Sequence, residues 1–130
     1  MKILIFSDLH AHSFKPYSKT LSNGRNSRLQ DSLNVLEEIY QYCISYKIDG
    51  VLFGGDLFHI RTPITVSTFN PVHEGIAKIK TAVKFMGLLV GNHDQYNKAG
   101  NIHSIDTFNS MVTILDRPGW AMFKAEEEEI

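Results

Sequence analysis

The chain has 130 residues, 43% of them hydrophobic and 21% charged, and its 13 basic and 14 acidic side chains give a net charge of -1. That is one domain's worth of sequence with enough apolar residues for a core, which excludes a disordered, collagen-like or low-complexity chain. No apolar run approaches the roughly 20 residues needed to span a bilayer, and the single cysteine, Cys43, excludes an internal disulfide framework.

Lys2 to Phe6 is a short Ile-rich run ended by Ser7-Asp8, and it predicts a buried strand. The N-terminal stretch is too short for a signal peptide and has no small-residue cleavage site. With the lone cysteine, this predicts a soluble protein of a reducing cytoplasm. Residues 11 to 27 are polar and predict a long loop, a feature that in compact domains is usually functional or mobile. Leu29, Leu33, Leu36, Tyr40 and Cys43 then recur at helical spacing, which predicts a helix from about Arg28 to Tyr46 with Cys43 in its core stripe.

Asp49 to Phe53 predicts a second strand, ended by Gly54-Gly55-Asp56. Thr65 to about Lys80 reads as a helix through Phe69, Val72, Ile76 and Ile79, with Pro71 kinking it or marking a new start. Val83 to Val90 predicts a third strand, ended by Gly91-Asn92-His93-Asp94. Met111 to Leu115 and Trp120 to Phe123 predict two more strands around the turn Arg117-Pro118-Gly119. Glu126 to Glu129 supply four of the 14 acidic residues, so the rest of the chain carries 13 basic against 10 acidic residues. That excess does not diagnose nucleic-acid binding, and the acidic run reads as a solvated tail. The expected organisation is a domain over residues 1–124 followed by an acidic tail over 125–130.

Alternating strands and helices predict an α/β fold with a parallel or mixed sheet. Three successive strands each end in a polar cluster: Asp8-Leu9-His10, Gly55-Asp56 and Asn92-His93-Asp94. Ligand sites of open α/β sheets lie beyond the carboxyl ends of the strands, so the three clusters are expected to converge. Asp8, Asp56 and Asn92 offer oxygen donors and His10 an imidazole nitrogen, a mixed set that suits manganese, iron or zinc better than calcium. A carboxylate between two such ions makes a clamp for in-line displacement at phosphorus. Gly54 and Gly55 permit a sharp turn and leave room beside it. His93, next to a ligand in sequence, is better placed as a general acid, with Asp94 orienting its imidazole.

These residues resemble the calcineurin-like metallophosphoesterases. The resemblance implies a β-sandwich flanked by helices, with two divalent ions at the strand ends. It implies that Asp8 and His10 hold the first ion, Asp56 bridges both, Asn92 holds the second, and His93 with Asp94 forms the acid pair. Gly55-Asp56-Leu57-Phe58-His59, followed by Arg61 and Pro63, further resembles the SbcD-like double-strand-break repair exonucleases and phage recombination nucleases. In that branch the histidine three residues after the bridging aspartate positions the DNA backbone, a role that falls to His59. The branch implies Mn2+ as the ion and, as partners, DNA, an SbcC-like coiled-coil ABC ATPase subunit and a second copy of the chain.

The family also draws metal ligands from a later histidine and a Gly-His-x-His motif, and no histidine after His93 stands in such a context. The resemblance therefore covers the N-terminal half of a catalytic domain, as a fragment, a split enzyme or a degenerate relative. The expected function is a metal-dependent phosphodiesterase acting on DNA. The alternatives are a protein phosphatase or nucleotide hydrolase of the same superfamily, and a non-catalytic remnant that binds a partner or DNA. Among the other residues, Arg25 and Arg28 are candidates for phosphate contacts or for solvated charges at a helix start. Lys78, Lys80 and Lys84 read as a solvated face, Asp31 as support for the early helix, His12 as a loop histidine and Trp120 as a packing residue.

Overall fold

The computed structural model describes residues 1–59, 64–89, 112–115 and 118–123. In chain order the elements are β1 (Ile3–Phe6), α1 (Ser27–Ser45), β2 (Gly50–Phe53), α2 (Val66–Thr81), β3 (Phe85–Leu89) and β4 (Thr113–Leu115). The four strands form one parallel sheet in the order β1-β2-β3-β4, with Phe6 opposite Phe53 and Phe53 opposite Leu88. This is the α/β architecture expected from the alternation, with β1 joined to its parallel neighbour β2 through α1, and β2 to β3 through α2.

The core lies between the sheet and the two helices. Leu29, Leu36 and Cys43 of α1 and Val72, Ile76 and Ile79 of α2 join Val51, Phe53, Met86 and Leu88 of the sheet in one buried cluster. The helical spacing that defined α1 in the sequence is therefore the stripe it buries, and burial raises the Cys43 thiol pKa. The cap of α1 is Asn26, whose side-chain oxygen accepts from the backbone N–H of Arg28 at 3.0 Å and Leu29 at 3.1 Å. Asp31, expected to support the early helix, is exposed and lies beyond the first turn.

Several expectations need correction. β1 is not a buried strand: Ile3 is 45% and Ile5 72% exposed. Leu4 and Phe6 face the core, so alternation turns Ile3 and Ile5 to the face the helices do not cover. Among the described residues β1 has a neighbour on one side alone. Pro71 does not start a new element; α2 runs through it as one helix. A proline inside a helix costs about 3 kcal/mol, and the completely buried Val72, Ile76 and Ile79 offset that by packing. Residues 120–123 form no strand. Trp120 is exposed rather than packed, while Phe123 stacks on Phe85 at 5.1 Å between centroids. Lys78 is half-exposed, as a solvated face requires, and it also pairs across helices: its Nζ lies 2.7 Å from Glu37 Oε2 and 4.4 Å from the Tyr40 ring centroid.

The start of β1 is clamped to β2. The Asp49 carboxylate accepts the Lys2 backbone N–H at 2.7 Å and lies 3.4 Å from Lys84 Nζ. The Lys2 amide first, and Lys84 with it, hold the Asp49 carboxyl below its usual pKa. A carboxyl depressed by folding stabilises the fold above its unfolded pKa of about 3.9, and that contribution fades as pH falls below it. Asp49→Asn is expected to lower stability at pH 7 by more than it does near pH 3. Urea melts at both pH values check this, and an equal loss at both would contradict it.

Candidate metal centre

The site is assembled where β1 and β2 end. Their parallel pairing continues past the strands: Gly54 N–H donates to Phe6 O at 2.8 Å, Asp8 N–H to Gly55 O at 2.9 Å, and His10 N–H to Asp56 O at 3.0 Å. Ala11 N–H donates to Leu57 O at 2.9 Å, and His59 N–H to Ala11 O at 3.1 Å. The two chain segments thus run side by side in fixed register, which sets Asp8 and His10 against Asp56.

Three of the expected ligands meet there. One ligand atom from each of Asp8, His10 and Asp56 lies within 4.8 Å of the others. His10 Nε2 is 3.4 Å from Asp8 Oδ1 and 4.0 Å from Asp56 Oδ2. Asp8 is the most open of the three, with 63% of its side chain exposed against 32% for His10 and 20% for Asp56. The Ser7 hydroxyl donates to Asp8 Oδ2, and this bond first, with His10 adding to it, holds the Asp8 carboxyl below its usual pKa. Two carboxylates and an imidazole converging on one point fit a divalent ion of the manganese, iron or zinc type.

The backbone reveals what the spacing did not. Asp8, His10 and Asp56 have φ of 57°, 47° and 60°, and Gly55 has 110°. Left-handed backbone at non-glycine residues is uncommon, and it is enriched in Asp, Asn and His and at functional sites. The residue types themselves were the available signal: short polar side chains tolerate this region. Gly54 has a different use from the one expected. A β-carbon there would lie 2.8 Å from Ser7 Cβ, so its bareness admits the neighbouring segment rather than an ion.

His59 stands beside the centre, its ring centroid 5.8 Å from that of His10. His12 lies 5.5 Å from His59 and 4.8 Å from Phe14, so it belongs to a ring cluster and is more than a loop histidine. Arg28 is drawn inward: its guanidinium is 4.0 Å from the Phe14 centroid and donates to Pro16 O at 3.1 Å. Arg25 donates to Gln30 Oε1 at 2.9 Å. Asn92, His93, Asp94 and the Glu126–Glu129 run lie outside the described residues.

A parallel sheet with two carboxylates and an imidazole gathered at its carboxyl edge is an arrangement that could hold a divalent ion. The chain belongs to the calcineurin-like phosphoesterases, whose family pattern it matches over residues 1–123. It is 35% identical over 63 residues to the "Double-strand break repair protein mre-11" of Caenorhabditis elegans, a stretch that covers 48% of this chain and 8% of that protein. The chain thus spans a small part of the length of the curated relative it matches. Members of this family are hydrolases that use divalent metal ions, and Asp8, His10 and Asp56 fit that use. Among the described residues no helix is long and apolar enough to cross a membrane.

Proposed function

We propose that this chain is the N-terminal part, residues 1–124, of a metal-dependent phosphodiesterase acting on DNA, the nuclease subunit of a recombination or repair complex. The observation that carries the reading is the convergence of Asp8, His10 and Asp56 within 4.8 Å in a phosphoesterase chain. The likeness to a double-strand-break repair protein favours DNA over phosphoprotein or nucleotide as the substrate. Mn2+ is the proposed ion, with Asp8 and His10 at the first position, Asp56 shared, and Asn92 at the second. Bound divalent ions supply positive charge at the phosphoryl oxygens and lower the pKa of water.

The chain's own residues do the rest. Asp8, His10 and Asp56 would hold the ions against which the phosphate seats, and His59, next to His10, orients the DNA backbone. His93 protonates the departing 3′ oxygen, and Asp94 holds its imidazole in place. An SbcC-like coiled-coil ATPase and a second copy of this chain are the proposed partners.

The test is manganese-dependent release of nucleotides from linear duplex DNA, compared with hydrolysis of a phosphoprotein and a dinucleoside polyphosphate. DNA is expected to be the preferred substrate; preference for either competitor overturns the reading. His93→Ala is expected to lower turnover of the catalytically complete protein about 10²–10⁴-fold while leaving metal binding unchanged. Retained turnover in that variant would remove His93 from the acid role.

A further inference from the structure

A cavity of about 470 Å³ opens between the loop that follows β1 and the start of α2, with Ala11 and His59 in its wall. Its size falls in the range of small-molecule sites. Its walls include His12, Phe14 and His59, whose rings form a contiguous cluster: Phe14 lies 4.8 Å from His12 and 4.7 Å from His59. The Arg28 guanidinium, 4.0 Å from the Phe14 centroid, braces that ring from α1. His59 connects the cavity to the ligand set through its 5.8 Å contact with His10.

Beside the imidazoles, the polar lining is mostly hydroxyl. Ser13, Thr65 and Thr68 place hydroxyls in the same cavity, with Thr65 Oγ1 donating to Thr68 Oγ1 at 3.0 Å and Ser13 Oγ 3.2 Å from Thr68 Oγ1. A hydroxyl donates once and accepts twice, and it rotates to suit its partner. Lys15 lines the cavity from the exposed side. Aromatic walls, adaptable hydroxyls and one cation match a planar heterocycle with a polar edge and a neighbouring phosphate.

We infer that this cavity receives the nucleobase of the nucleotide flanking the phosphodiester at the metal centre. The inference rests on the DNA reading for what occupies the centre and adds where the adjoining base goes. The base stacks against the Phe14 and imidazole rings, and the hydroxyls meet its edge. Rotatable hydroxyls accept any of the four bases, so the pocket anchors without reading sequence, as stacking platforms for single strands do.

The test uses metal-free protein in chelator, so that it does not depend on catalysis. Deoxyadenosine 5′-monophosphate and deoxyribose 5-phosphate are titrated while the imidazole C–H signals of His12 and His59 are followed by NMR. The nucleotide is expected to shift both signals and to bind about tenfold more tightly than the base-free sugar phosphate, the scale of one base–aromatic stack. Phe14→Ala is expected to abolish that preference. Phe14→Leu keeps apolar bulk under Arg28, guards against a collapsed loop, and is expected to lose most of the preference too. Equal affinity for the two probes, or a Phe14→Leu protein with the full preference, would overturn the inference. Base preference without any DNA hydrolysis by the catalytically complete enzyme would leave the pocket standing and remove the nuclease reading instead.

Discussion

Asp56→Asn is expected to weaken divalent-ion binding by at least about 100-fold, the upper end of what losing a mere supporting partner of a ligand costs. Asp56 is the least exposed of the three ligands, and one ligand atom of each lies within 4.8 Å of the others, so losing its charge leaves one carboxylate and one imidazole. Asparagine is the cleaner substitution because Asp56 has φ of 60°. Asn tolerates left-handed backbone, whereas alanine there adds a backbone cost of about 1–2 kcal/mol that confuses a binding measurement with a folding one. Without metal, Asp8 and Asp56 are like charges held together, so the variant is expected to melt at the same temperature as the parent or higher in chelator. Calorimetric titration with Mn2+ and a thermal melt in chelator check the two halves separately. Unchanged affinity would remove Asp56 from the ligand set, and a lower melting temperature would contradict the repulsion between Asp8 and Asp56.

Phe58→Ala is expected to destabilise the fold by about 3–5 kcal/mol. Phe58 is completely buried and stacks on Phe69 of α2 at 5.7 Å. Small domains are stable by roughly 5–15 kcal/mol in total, so this one ring is a large share of the margin. The loss reaches the site as well. Phe58 bridges to Ala11, and it sits between Asp56 and His59, so its ring anchors the register that sets His10 against Asp56. Phe58→Leu keeps most of the volume and is expected to recover more than half of both stability and Mn2+ affinity. Chemical denaturation of the metal-free protein measures the first effect. A loss under about 1 kcal/mol would show that the core does not seat the site.

Much of this was legible in the sequence, for reasons that differ by element. α1 announced itself because its buried residues recur at the helical period over 19 residues, enough for the pattern to outweigh noise. The convergence of Asp8, His10 and Asp56 was legible because polar clusters that end successive strands have few places to go in a parallel sheet. β1 was misread because an apolar run carries no information about its neighbours. The exposure of Ile3 and Ile5 follows from the sheet face the helices leave uncovered, a tertiary fact. The Lys78–Glu37 tie joins residues 41 apart and depends on how α2 lies against α1. The left-handed backbone at Asp8, His10 and Asp56 was hidden because Asp and His at strand ends are compatible with ordinary turns. Asn26 could have been recognised as a cap from its position before a helical stripe.

The most direct measurement is anomalous diffraction from a crystal of this chain soaked in Mn2+. A peak is expected within about 2.0–2.6 Å of oxygen or nitrogen atoms from Asp8, His10 and Asp56 together. A peak bound elsewhere, with none at these three residues, would contradict the account.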